Sequence, residues 1–175
     1  SNLRNIAQRF TSNKVDLIGA IATPAAQTMA NATKTTPIVA TAVTDFEIAK
    51  LVKKNDKPGT NVTGSADMAP IDTLVELMLK IYPETKKVGT IYSSSEINSE
   101  RQVQIFKDIA KAKNLEVKEA TVSSVNDIQQ AAQSLVGKVD AIYIPTDNTI
   151  ASAVPALLKI TETAKLPIFA GEGGM

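Results

Sequence analysis

Apolar residues fall along this chain in short runs, and each run stops at a small turn rich in hydroxyls, acids or glycine. The runs are Val15-Asp16-Leu17-Ile18-Gly19-Ala20-Ile21, Pro37-Ile38-Val39-Ala40, Val88-Gly89-Thr90-Ile91-Tyr92, Val139-Asp140-Ala141-Ile142-Tyr143-Ile144 and Leu166-Pro167-Ile168-Phe169-Ala170. The turns after them are Ala22-Thr23-Pro24, Thr41-Ala42-Val43-Thr44-Asp45, Ser93-Ser94-Ser95-Glu96, Pro145-Thr146-Asp147-Asn148 and Gly171-Glu172-Gly173-Gly174. All but the last lead into apolar spacings of three and four residues, the period of a helix. Short strands alternating with helices predict a parallel sheet, because a parallel neighbour is reached only by a crossover. Such strands end on one edge, where open α/β sheets take ligands. The polar turns are therefore the candidate contacts.

The helical pattern begins at once, with Leu3, Ile6, Ala7 and Phe10 on one face. Further helices are expected over 70–82, with Pro70 acceptable in the first turn, and over 98–113, with Val103, Phe106, Ile109 and Ala110 inward. Residues 115–122 alternate as a strand. Ser124-Val125-Asn126-Asp127 has the form of a capping box opening a helix that runs to about Leu135. Ile150, Val154, Leu157 and Leu158 mark another helix, in which Pro155 predicts a kink, or a break with Pro155 starting the longer piece. Between Asp45 and Pro70 the alternation lapses. A short helical stretch is expected over 46–53, a turn at Pro58-Gly59, and an edge strand at Asn61-Val62-Thr63-Gly64. A second βαβ set starts at Val88, so two lobes are expected, 1–64 and 65–175. The chain opens on a crossover helix and stops after a strand at Gly173-Gly174-Met175, which predicts a fragment with an incomplete first lobe.

With 43% apolar and 21% charged residues, 175 residues bury a sizeable core. A net charge of +1 without a basic run argues against nucleic acid as a partner. Cysteine and histidine are both absent, which removes disulfides, the usual zinc ligands and every Ser-His or Cys-His arrangement. Neither a metal nor a cofactor is expected, and Gly171-Glu172-Gly173-Gly174 does not make a dinucleotide fingerprint.

Ser93-Ser94-Ser95-Glu96-Ile97-Asn98-Ser99 is the most pointed cluster, since one cap would satisfy the following helix and the other hydroxyls would be left over for an anion. Thr23-Pro24-Ala25 is its counterpart: Thr23 can cap, Pro24 suits the first helical position, and Ala25 lets a ligand approach the backbone. Thr44-Asp45 and Thr146-Asp147-Asn148 offer carboxylates that can take an ammonium group or cap the next helix. Glu172 projects from a glycine-flanked turn. Tyr92 and Tyr143 are candidates either for stacking on a ligand ring or for the core. Paired acids could serve acid and base steps, but with no activated nucleophile a binding role is expected over an enzyme such as a hydrolase or isomerase.

Asp16-Leu17-Ile18 through Ala22-Thr23-Pro24-Ala25-Ala26-Gln27, Pro37-Ile38-Val39 with Thr44-Asp45, and Asn61-Val62-Thr63-Gly64 resemble the solute-binding proteins of ABC transporters, in the family associated with tryptophan and tyrosine uptake. Lys87-Val88-Gly89, Glu96-Ile97-Asn98-Ser99, Tyr143-Ile144-Pro145-Thr146-Asp147-Asn148 and Phe169-Ala170-Gly171-Glu172-Gly173-Gly174 continue the resemblance in order. One departure is Phe46, where relatives usually carry proline. The resemblance implies a type I periplasmic-binding-protein fold: two Rossmann-like lobes with parallel sheets flanked by helices, hinged and closing on an amino acid. It also implies an extracytoplasmic location, commonly as a lipoprotein, and a membrane permease as partner. A monomer is expected. In that mode the Thr23 and Ser93 to Ser95 turns take the ligand carboxylate, and Asp45, Asp147 or Glu172 takes its amino group. A sensing domain of a transcription regulator shares the fold and would carry a DNA-binding segment.

Overall fold

The apolar runs become strands in the computed structural model, which describes residues 2–173. Gly174 and Met175, and with them the end of the glycine turn, lie outside the described residues. The chain divides into two compact units, Ser1–Met68 and Ala69–Met175.

The first unit contains α1 (Asn2–Ser12), β1 (Ile18–Ile21), α2 (Thr23–Ala32), β2 (Ile38–Val43) and β3 (Val62–Ala66). Its strands lie in the order β1-β2-β3, all parallel. Alternation sorts the side chains: Ile18, Ala20, Ile38, Ala40 and Val62 are buried, as are Ala26, Met29 and Ala30 of α2, while Ile21 and Val39 are exposed. The strand expected at Asn61 to Gly64 forms as Val62–Ala66, at one end of the sheet order among the described residues. Ala40 pairs with Gly64, and then the register slips to Val43 with Ala66. The slip sits where β3 carries no side chain.

The helix expected over 46–53 is instead a single turn. Asp45 Oδ1 accepts from the N–H of Glu47 and Ile48, each at 3.0 Å, which starts a helical turn. Lys50 then takes φ 58°, and Leu51 N donates to Phe46 O at 2.9 Å while Lys50 N donates to Glu47 O at 2.9 Å. That is the Schellman closure of a helix end. Phe46, Ala49, Leu51 and Val52 are all buried, a spacing that no helix face longer than one turn can hold.

The second unit contains α3 (Ile71–Ile81), β4 (Lys87–Ser93), α4 (Ile97–Ala112), β5 (Glu116–Val122), α5 (Ile128–Leu135), β6 (Ala141–Ile144), α6 (Asn148–Ala151), α7 (Val154–Thr163) and β7 (Ile168–Ala170). The strand order is β5-β4-β6-β7, again all parallel. Both faces of this sheet are covered, as a parallel sheet requires. Ile91, Ile142 and Ile144 pack with α5 and α7, and Val88, Ala141 and Tyr143 pack with α3 and α4. Pro155 breaks the helix pattern as expected, separating the four-residue α6 from α7. The capping box at Ser124 forms with Asp127, through a short 3-10 turn ahead of α5.

Tyr143 is core. It is 1% exposed and stacks on Phe106 with ring centroids 4.3 Å apart, so ring stacking on a ligand does not fit it. Tyr92 donates to Glu119 Oε2 at 3.0 Å, a bond that ties β4 to β5.

Asp140 shows how the sheet is pinned at the opposite end from the candidate site. Its carboxylate accepts from Lys86 N at 2.9 Å and Lys87 N at 2.8 Å, joining the start of β6 to the start of β4. Those N–H groups hold its carboxyl below the ordinary value of 3.8. A depressed folded value means stabilisation that is complete above the unfolded value and lost as pH falls through the folded one. Asp140→Asn is therefore expected to cost about 1 kcal/mol at neutral pH, the low side for charged hydrogen bonds because the group is exposed. Urea titrations at pH 7 and in acid check this: the gap from the parent protein should close in acid.

Candidate functional site

In the first unit, the carboxyl edge is formed by the β1–α2 turn and by Thr44 and Asp45. Ala22 stands at φ 74°, ψ 153°, a conformation that only glycine adopts freely. It lets the chain pass from β1 straight into α2, so Thr23 is the first helical residue and not the cap. Ala22 holds the cap position, and no side chain among the described residues caps α2. The first-turn N–H groups of Thr23 and Ala25 have no carbonyl four residues back inside the helix. Thr23 is 2% exposed, and its Oγ1 is buried without a hydrogen-bond partner among the described residues. An uncapped helix start, a strained entry and an orphaned hydroxyl thus coincide. Thr44 is buried, and Asp45 Oδ1 is engaged in the turn described above.

In the second unit, β4 and β6 deliver two turns that brace one another. Asp147 Oδ2 accepts from Ser93 N at 2.7 Å, and its Oδ1 caps α6 by accepting from Ile150 N at 2.9 Å. Glu96 reaches the other way. Its Oε2 accepts from Asn148 N at 3.1 Å and Asn148 Nδ2 at 2.6 Å, and its Oε1 from Thr149 N and Thr149 Oγ1, both at 2.9 Å. Each turn places a carboxylate on the other turn's backbone. Burial pushes the Glu96 carboxyl up, but donors from Asn148, Asn98 and Thr149 outweigh it and hold the group below its ordinary value. Asp147 goes the other way: burial raises it, the N–H groups of Ser93 and Ile150 offset part of this, and the Glu96 charge adds to the rise.

These contacts correct the expected roles. Asp147 was a candidate for a ligand ammonium or for capping, and Glu96 belonged to the cluster expected at the ligand; both carboxylates are occupied by the chain's own donors. Nor does a serine or asparagine side chain cap α4, whose cap position is held by Glu96 without a side-chain cap bond. Ser93 is fully buried and its Oγ meets Ser95 Oγ at 2.9 Å. Ser94 turns toward β5, its N donating to Val122 O at 3.1 Å, while Ser94 and Ser95 remain exposed. Asn98 and Ser99 are buried and both reach Thr146 O, at 3.0 and 3.3 Å. Asn148 is exposed. Glu172 is exposed and, with Ala69, Pro70, Leu74 and Leu77, lines a groove of about 280 Å³.

Gln102 was missed by the sequence reading. It is fully buried, and its Oε1 accepts from Thr146 N at 3.1 Å. The signal was available: Asn98, Ser99 and Gln102 occupy the inward stripe of α4 ahead of Val103, Phe106 and Ala110, where a purely structural helix would be apolar. Among the described residues there is no group of three or more His, Cys, Asp or Glu that could hold a metal ion, and no helix long and apolar enough to cross a membrane.

Comparison with known proteins shows what the chain is similar to. A curated tyrosine-binding protein of Clostridioides difficile is 48% identical over 171 residues, covering 98% of this chain and 50% of the relative. A Streptococcus pneumoniae ABC domain solved in complex with L-Trp superposes with a TM-score of 0.96 at 42% identity, over 99% of this chain and 59% of that one. A conserved domain protein of Vibrio cholerae gives a TM-score of 0.95 at 40% identity, over 98% and 58%. The chain thus spans between half and three-fifths of the length of these relatives. The family described as ABC transporter substrate binding protein matches residues 1–175, so the chain belongs to that family.

Proposed function

We propose that the protein containing this chain is the extracytoplasmic receptor of an ABC importer, and that it binds an amino acid, aromatic or hydrophobic, without transforming it. The observation that carries this reading is the start of α2: strained Ala22, uncapped N–H groups, and the buried hydroxyl of Thr23 with no partner among the described residues. Strain and an orphaned polar group are costs that folding alone would not retain. A helix N-terminus is a site for an anion, and the carboxylate of an amino acid fits it, taken by the N–H groups of Thr23 and Ala25 and by the Thr23 hydroxyl. The names of two relatives, a tyrosine-binding protein and a domain holding L-Trp, support the ligand class.

In the second unit, Ser95, Asn98, Asn148 and the Thr146 side chain are the proposed contacts, with Glu96 and Asp147 holding them in place. Glu172 would meet the solute from the end of β7. A membrane permease is the proposed partner, docking the liganded receptor. The working form is a monomer, either periplasmic or held to the cell surface by a lipid.

Calorimetry of the full-length protein against the amino acids tests this, with the solute recovered afterwards to check that it is unchanged. Absence of binding to every amino acid rejects the ligand assignment, and turnover rejects the receptor reading. Thr23→Val sharpens the test. It removes a buried unpartnered hydroxyl at nearly constant shape, so thermal stability without ligand should hold or rise, while affinity should fall by about tenfold. A variant that lost stability and kept its affinity would show that Thr23 serves the fold.

A further inference from the structure

Asn98 sits at the start of α4 and is 5% exposed. Its amide nitrogen is surrounded by acceptors: Thr146 O at 3.0 Å, Glu96 Oε2 at 3.2 Å and Ser99 Oγ at 3.4 Å. This decides which end of the amide is nitrogen, because the flipped group would set its oxygen against a carbonyl and a carboxylate. Oδ1 is thereby turned away from all three, and it is buried with no donor among the described residues. The neighbouring acids are not in that state. Glu96 holds Asn148 and Thr149, and Asp147 holds Ser93 and Ile150.

We propose that the Asn98 carbonyl oxygen accepts the ammonium group of the solute, a neutral amide performing the task expected of a carboxylate. The inference rests on the amino acid reading above and narrows it to one atom. Glu96 acts behind it as a positioning residue. A carboxylate on the amide N–H fixes the plane of the group, and it also polarises the amide, leaving more negative charge on the oxygen. A dipole of this kind takes an N–H donor without adding a third buried carboxylate beside Asp147 and Glu96.

The test compares two solutes that differ only at the amino group, L-tyrosine and 3-(4-hydroxyphenyl)propionate, titrated into the full-length protein and its Asn98→Ala variant. A site built to pair an N–H group rejects the analogue lacking it strongly, so the parent protein should prefer tyrosine by about a hundredfold or more. In Asn98→Ala the preference should fall below about tenfold, through weaker tyrosine binding and nearly unchanged analogue binding. An unchanged preference overturns the assignment. So does an Arg101→Ala variant that copies the loss: Arg101 Nε, on the next turn of α4, is also buried without a partner among the described residues, and Asn98 would then be its internal acceptor. Should Asn98→Ala fail to fold, the side-chain amide signal of Asn98 in the parent protein decides. It should shift with tyrosine and not with the analogue, and equal response to both overturns the contact. If the parent protein binds neither tyrosine nor tryptophan but binds another amino acid, the same comparison is made with that amino acid and its des-amino analogue. If it binds none, the amino acid reading falls and takes this contact with it.

Discussion

Gly64→Ala is expected to cost about 4 kcal/mol or more of stability, at the extreme of single substitutions. A methyl group there would lie 1.8 Å from the Ala40 carbonyl oxygen and 2.7 Å from its carbon, with Phe46 Cζ at 2.9 Å. Side chains can rotate away from such overlap, and main chain in a ladder cannot. To admit the methyl, β3 must leave β2, losing the pairs on both sides of Ala40 and Gly64. Phe46 is 5% exposed and sits where glycine leaves room, so trimming it does not help. The double variant Gly64→Ala with Phe46→Ala should be no more stable than Gly64→Ala alone. Urea unfolding followed by far-ultraviolet circular dichroism reads both. A Gly64→Ala protein within about 1 kcal/mol of the parent would mean that β2 and β3 do not approach as described.

Glu96→Ala is the second large effect. One carboxylate accepts from two backbone N–H groups, two side chains of the β6–α6 turn and the Asn98 amide. Some donors are exposed and will find water, which limits the loss to about 3 kcal/mol. Glu96→Gln keeps the shape but turns an NH2 group toward donors on one side, so about half the loss is expected. The Glu96 value is depressed from 4.5, so its stabilisation is full above that pH and disappears as pH falls through the folded value. Asp147, the titratable group facing it, is raised, so the stability linked to it is present in acid and lost as pH rises through its folded value. The two slopes oppose each other. Acid titration of the parent should accordingly be shallower than that of Asp147→Asn, in which nothing from Asp147 opposes the Glu96 slope. Ligand affinity should fall further in Glu96→Ala than stability does, since the Asn98 amide loses its orientation. Equal affinity in parent and variant would confine Glu96 to the fold.

The strands were legible because each apolar run is bounded by residues that stop a strand, and Pro155 marked the break between α6 and α7 for the same local reason: a missing N–H. The turn at 46–50 was not legible. Its apolar residues suit either a short helix or a wrapped turn, and the choice was made by Lys50 adopting φ 58° to bury Leu51 and Val52. At the candidate site, the sequence shows the polar residues but not their partners. Glu96 and Asp147 were visible as acids beside helix starts. Which N–H group each one meets depends on a residue more than fifty positions away, and a sequence does not print that distance. Tyr143 went the same way: alternation says which side of a strand it occupies, but a parallel sheet is covered on both sides, so either side is core.

By itself, then, the order of residues determined the strands, the helices outside the turn at 46–50 and the parallel arrangement, because periodicity, proline, glycine and capping act over a few bonds. Tertiary structure alone decided which polar groups remain unengaged. Glu96 and Asp147 were satisfied by each other's turns, and Thr23 Oγ1 and Asn98 Oδ1 were left without a hydrogen-bond partner among the described residues. The reason is that hydrogen-bond satisfaction is settled by what lies across space, after every nearer partner has been used.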